Sequence, residues 1–94
     1  MDIKSGDFIW DENKEFANIR KHGVDFRVAA QAFKDPERKI FADELHSKEE
    51  ERLFCAGKVG GRTLTVRFTY RGGKIRIFGA GYWRKGAKYY EKND

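Results

Sequence analysis

At 94 residues, with 20 Lys and Arg against 15 Asp and Glu for a net charge of +5, the chain is sized for one compact domain over 1–94. Such a domain buries roughly 60–65% of the surface its unfolded chain exposes, and eight Phe, four Tyr and two Trp supply the large side chains for the core. No apolar run approaches the ~20 residues of a membrane span, the start lacks a basic-then-apolar leader, and the lone Cys55 has no disulfide partner within the chain. Integral membrane proteins, disulfide scaffolds and multidomain enzymes are excluded, and a cytoplasmic location is expected.

The elements follow in chain order. Phe8-Ile9-Trp10 reads as a first strand or an N-terminal brace. Asp11 then caps a helix with Glu12 and Glu15 in its first turn and Arg20, Lys21 and His22 in its last, closed by Gly23; Phe16 and Ile19 are its expected apolar face. Asp25 caps a second helix with Phe26, Ala29, Ala30 and Phe33 at helical spacing, stopped by Asp35-Pro36. From there the period is two. Residues 39–42 form a short strand, 43–51 a charged loop or a single helical turn, and 52–59, 62–71 and 74–78 three strands joined by the Gly60-Gly61 and Gly72-Gly73 hairpins. The basic, aromatic segment 82–94 holds a short helix near 85–92 or stays a tail. The fold class is α+β: two N-terminal helices packed on a small antiparallel sheet, with a short C-terminal basic helix or tail.

Charge is divided along the chain. Residues 1–57 carry 10 basic and 13 acidic side chains, a balance of −3, whereas residues 58–94 carry 10 basic and 2 acidic ones, a balance of +8. The cationic half is either a solvated face or the contact surface for a polyanion. Strand parity places Arg52, Arg67 and Arg76 on the face opposite the apolar residues, on neighbouring strands, where three guanidiniums converge without an intervening carboxylate and invite a phosphate; outward charge on a half-solvated sheet explains the same pattern. In the tail, Tyr82, Trp83, Arg84, Lys85 and Lys88 interleave rings with cations, a pattern suited to single-stranded nucleic acid, unless the rings fold back into the core. His46 is a candidate general acid or base, while Ser47 and Glu50 have capping-box spacing that would make the same segment merely the start of a helical turn. His22, at a helix C-terminus, is read as a dipole partner. No His or Cys pair has metal-ligand spacing, and no phosphate-binding loop, helix-turn-helix or zinc finger is present, so neither metal nor cofactor is expected.

Taken together, Phe8-Ile9-Trp10-Asp11, the run from Asn18 to Phe26 containing Lys21-His22-Gly23-Val24, Phe33-Lys34-Asp35-Pro36, Asp43-Glu44-Leu45-His46-Ser47 with Glu50 and Arg52, and Lys74-Ile75-Arg76-Ile77 resemble the BrnT family of bacterial toxins. The resemblance covers residues 8–91. It implies a RelE-like ribonuclease fold, RNA cleavage that arrests translation, and a cognate BrnA-like antitoxin that neutralises the toxin and carries the pair to operator DNA. Many members continue the last strand as Ser-Ala-Arg, where this chain has Gly79-Ala80-Gly81. On this reading the catalytic candidates are Arg52, Arg67 and Arg76 for phosphate charge and His46 or Tyr82 for proton transfer. Trp83, Arg84, Lys85, Lys88 and Lys74 would bind RNA. The alternative is a module that binds single-stranded nucleic acid or an antitoxin without cutting.

Overall fold

The computed structural model describes residues 1–92; Asn93 and Asp94, the end of the expected tail and domain, lie outside the described residues. Six strands and three α-helices follow in order: β1 (Asp2–Ser5), β2 (Phe8–Asp11), α1 (Glu12–His22), α2 (Phe26–Gln31, extended by a 3-10 turn at Ala32–Lys34), β3 (Lys39–Ala42), a 3-10 turn at Glu44–His46, β4 (Leu53–Val59), β5 (Arg62–Arg71), β6 (Lys74–Gly81) and α3 (Arg84–Glu91). The strands form one sheet in the order β1-β2-β6-β5-β4-β3. The α+β class and the β4-β5-β6 meander agree with expectation, but the sheet is mixed rather than antiparallel. Phe8, Ile9 and Trp10 of β2 pair in parallel with Ile75, Arg76 and Ile77 of β6. Residues 2–11 also form a hairpin absent from the sequence reading, turned at Gly6 (φ 58°).

Local signals act as their chemistry dictates. Asp25 accepts the Val28 N–H at 2.8 Å at the start of α2, and Gly23, at φ 69°, closes α1 with its N–H on the Ile19 carbonyl. Gly60-Gly61 and Gly72-Gly73 all have positive φ, as the two-residue hairpin turns demand. The core lies on one face of the sheet, where Leu64, Val66 and Phe68 of β5, Cys55 of β4, Ile77 of β6 and Trp10 of β2 meet Phe26, Ala29 and Ala32. Phe33 bridges Phe8 and Phe68 edge-on, at 5.3 and 4.9 Å. Burial pushes the Cys55 thiol up to about 12, so it is an inert core group.

The expected inner face of α1 is corrected. Phe16 and Ile19 are 50% and 40% exposed, and the buried side chains are Glu15 and Asn18. Glu15 accepts from the Trp10 indole N–H at 3.0 Å and from the Phe26 N–H at 2.9 Å, tying β2, α1 and α2 together. Asn18 donates to the carbonyls of Val24 and Ala80, both at 2.9 Å, and accepts the Ala80 N–H at 3.1 Å. Strand β2 ends at Asp11, so the side chain of Asn18 occupies the hydrogen-bonding edge of β6 beyond it.

Helix α3 lies on the opposite face of the sheet, against β4 and β5. Gly86 sits on Thr65 so closely that a Cβ there would fall 1.7 Å from the Thr65 hydroxyl oxygen. Tyr89 stacks on Phe41 at 3.9 Å, and the Tyr90 hydroxyl donates to Asp35 at 2.5 Å. The α3 face, rather than the face that carries α2, holds the charged residues singled out from the sequence.

Candidate functional site

The charged loop between β3 and β4 is tied into a fixed shape by its own polar groups. Asp43 donates its N–H to the Arg52 carbonyl at 2.8 Å, continuing the β3-β4 ladder by one bond. The Ser47 hydroxyl donates to the Asp43 carbonyl at 2.7 Å and accepts the Arg52 N–H at 2.9 Å. Ser47 is therefore a loop clamp, and the capping-box reading with Glu50 is corrected. Inside this clamp the Asp43 carboxylate is 4% exposed, and His46 Nδ1 lies 2.9 and 3.1 Å from its two oxygens. A carboxylate accepting from Nδ1–H fixes the imidazole orientation and leaves the Nε2 lone pair outward. Arg67 Nε stands 4.0 Å from the same carboxylate.

Around this triplet a pocket of about 310 Å³ is lined by Phe41, His46, Phe54, Thr65, Arg67, Trp83, Lys85 and Gly86. It combines stacked rings (Phe41 and Phe54, 5.1 Å apart) with an imidazole, a guanidinium and an ammonium, Lys85 Nζ lying 5.4 Å from the Phe54 ring. The Thr65 hydroxyl, in a residue 2% exposed, has no hydrogen-bond partner. A second, smaller cavity of about 180 Å³ shares Arg67 and Trp83 and adds Lys14, Lys21, His22 and Phe78. The two cavities make one groove with Arg67 and Trp83 at its middle, and both histidines of the chain line it. His22, read from sequence as a dipole partner, has its ring 5.3 Å from that of Trp83, edge to face.

A β-bulge shapes the floor of this groove. Arg67 pairs with Gly79 and Phe68 with Ile77, so Phe78 is the extra residue and lies on the same face as Gly79. The Arg52 guanidinium stacks on the Phe78 ring at 3.8 Å. A Cβ at Gly79 would meet only ordinary contacts, Asn18 Oδ1 at 3.5 Å and Arg67 Cδ at 3.9 Å. At Gly81 it would fall 2.6 to 2.9 Å from the indole of Trp83. Trp83 thus covers the position where the resemblance sets an arginine.

Strand parity places Arg52, Arg67 and Arg76 on one face, yet the acid-free cluster expected from it does not form. Arg76 grips Asp2 through both Nη atoms, at 2.9 and 3.2 Å, and this pairing holds the Asp2 carboxyl below its usual range. Arg52 has Glu50 at 3.5 Å and Arg67 has Asp43. These carboxylates come from β1 and the 43–51 loop, neither of which strand alternation in β4–β6 can register. Tyr82 is also displaced from the expected site: the Arg62 guanidinium lies 3.8 Å over its ring, in a separate groove with Lys58, Thr63 and Tyr90. Lys74 donates to the Gly6 carbonyl at 3.3 Å, at the far end of β6 from Trp83. Arg84 and Lys88 are exposed on α3.

Residues 10–86 match the family model described as the ribonuclease toxin, BrnT, of a type II toxin-antitoxin system. A search of the curated proteins finds no match. Among the described residues, no helix is long and apolar enough to cross a membrane, and no three His, Cys, Asp or Glu side chains cluster as metal ligands. With the family model spanning most of the 94 residues, the chain belongs to the BrnT family of ribonuclease toxins of type II toxin–antitoxin systems.

Proposed function

We propose that the chain is a metal-independent endoribonuclease whose reaction centres on the Asp43–His46 pair and Arg67. The observation that carries this reading is the buried carboxylate holding His46 by Nδ1 with a guanidinium 4.0 Å away. His46 Nε2 removes the proton from an RNA 2′-hydroxyl, whose oxygen attacks the adjacent phosphorus. The bond to the 5′-oxygen breaks, leaving a 2′,3′-cyclic phosphate and a 5′-hydroxyl. Arg67 bears the charge that develops on the non-bridging oxygens, and Lys85 of the same pocket supplies the proton to the departing 5′-oxygen. Trp83 and Phe54 offer faces on which the flanking bases stack. The proposal extends to cleavage of messenger RNA in the cytoplasm and to restraint by a BrnA-like antitoxin that carries the pair to promoter DNA; membership of a type II toxin–antitoxin family supports this extension.

The test uses purified chain and end-labelled RNA in excess chelator. Cyclic-phosphate and 5′-hydroxyl ends are expected, with His46→Ala and Asp43→Asn each lowering the rate by roughly 10²-fold or more at unchanged RNA affinity. Intact RNA, or full activity in both variants, rejects the proposal. Binding without cutting is the second reading. It draws on Gly81, where Trp83 lies in place of a guanidinium, and the same assay separates the two.

A further inference from the structure

We infer that Arg52 and Arg71 form a second phosphate seat for the RNA backbone, beside the cleavage pocket, and that Glu50 fills this seat in the free protein. The inference rests on the ribonuclease reading above and extends it to residues that reading does not use. Arg71 closes its fork on Glu50, with Nη2 donating to Oε1 at 2.6 Å and Nε to Oε2 at 3.4 Å. Arg52 Nε lies 3.5 Å from the same Oε1. This Arg52 nitrogen is buried and makes no hydrogen bond. Stacking on Phe78 at 3.8 Å holds the Arg52 guanidinium in place. One planar carboxylate is thus shared by two guanidiniums and satisfies one of them. A tetrahedral phosphodiester presents oxygens in more than one direction and accepts from both.

Position favours RNA as the occupant. Arg71 and Arg67 have the same parity on β5 and stand four residues apart, roughly 13 Å along the strand. His46 lines both the cleavage pocket and the open groove of about 700 Å³ that holds Arg52, Arg71, Glu50 and Lys48. A strand bound at Arg67 therefore continues past His46 to Arg71. Glu50 belongs to the stretch between the 3-10 turn and β4, outside any helix or strand, and so is able to swing away. The Arg71 fork holds its carboxyl below the usual range, so it stays charged and competes with phosphate at neutral pH.

The experiment measures binding of a short 2′-O-methyl RNA, which lacks the attacking hydroxyl, by fluorescence anisotropy over a range of salt. Glu50→Gln is expected to tighten binding roughly 2- to 5-fold, the scale of an exposed ion pair. Arg71→Ala is expected to weaken it and to reduce the salt slope by about 0.7, one phosphate contact on a single strand. The double variant should bind no better than Arg71→Ala. Unchanged or weaker binding by Glu50→Gln, or an unchanged slope in Arg71→Ala, overturns the inference. So does a polyglutamate peptide that gains as much as RNA from Glu50→Gln, because the seat would then suit an acidic protein. If the parent chain cuts RNA but Glu50→Gln does not tighten, only the second seat fails. If Glu50→Gln tightens but no RNA is cut, the seat stands and the nuclease reading falls.

Discussion

Gly86→Ala should destabilise the protein although it improves the helix. In an isolated helix alanine is favoured over glycine by about 1 kcal/mol. Here the new Cβ would lie 1.7 Å from the Thr65 hydroxyl oxygen, 2.8 Å from its Cβ and 3.0 Å from its Cγ2. Carbon atoms rest at about 3.5–4.0 Å, so α3 must rise from β5. Rising strains the Tyr89–Phe41 stack and the Tyr90–Asp35 hydrogen bond together. Overpacking of this kind costs ~1–3 kcal/mol. Contact with a fixed β-carbon falls toward the upper end, leaving a net loss of about 1–2 kcal/mol after the propensity gain. For a domain of this size the midpoint of thermal denaturation, followed by circular dichroism, should fall by roughly 4–16 °C. Cleavage should fall with it, because α3 carries Lys85 and follows directly on Trp83. Adding Thr65→Ala removes the hydroxyl and the γ-methyl but leaves the β-carbon 2.8 Å away, so it should restore only part of the loss. A Gly86→Ala protein at least as stable as its parent would refute the close docking of α3.

Three further outcomes are expected. Asn18→Ala strips buried partners from the Ala80 N–H and carbonyl and from the Val24 carbonyl, and should cost about 2–4 kcal/mol in urea unfolding; a loss under 1 kcal/mol, roughly that of one exposed contact, would show that water replaces the amide. Gly81→Ala should displace the Trp83 indole and change tryptophan fluorescence, with the unaltered Trp10 as internal reference; an unchanged spectrum would contradict the packing. The Tyr90–Asp35 bond should make the docking of α3 pH-dependent in two directions. Its hydrogen bond to Asp35 pushes the Tyr90 phenol from 10 up to about 12, so its contribution is complete below pH 10 and lost as pH rises to 12. The same bond holds Asp35 below its ordinary 3.8, so that contribution is present above this value and lost as pH falls through the lowered one. Tyrosinate absorbance titrating for Tyr90 at the ordinary value would remove the bond.

What is legible in the sequence is what neighbours decide. The Asp25 cap, the Gly23 stop, the glycine-pair hairpins and the alternation of β5 depend on a few adjacent residues, and each appears where its chemistry puts it. Parity also places the three arginines on one face. Their partners are not legible, because Arg76 meets a carboxylate 74 positions away and the loop carboxylates depend on a clamp closed by Ser47. The parallel pairing of β2 with β6 brings residues 8–10 to 75–77 through a tertiary contact with no local signature. Polarity misleads at α1, where Glu15 and Asn18 are buried because each finds backbone or indole partners, while Phe16 and Ile19 face outward. At the candidate site, His46 is visible as a residue type. Its orienting carboxylate, three positions earlier, becomes visible only once the turn at 44–46 is known.

The Asn18 amide on β6 has a bearing on how this sheet meets other chains. A strand half-covered by its neighbour leaves a stretch of main chain ready to accept a foreign strand, a standing hazard of aggregation. Here that stretch is closed by one side chain, and α1 fills the space beside it. Strand addition is thereby directed to the outer edges, at β1 and β3, each only four residues long and at opposite ends of the strand order, with Arg67 of the groove on β5 between them. A partner that extends the sheet at these edges can therefore join without displacing the helix that covers β6.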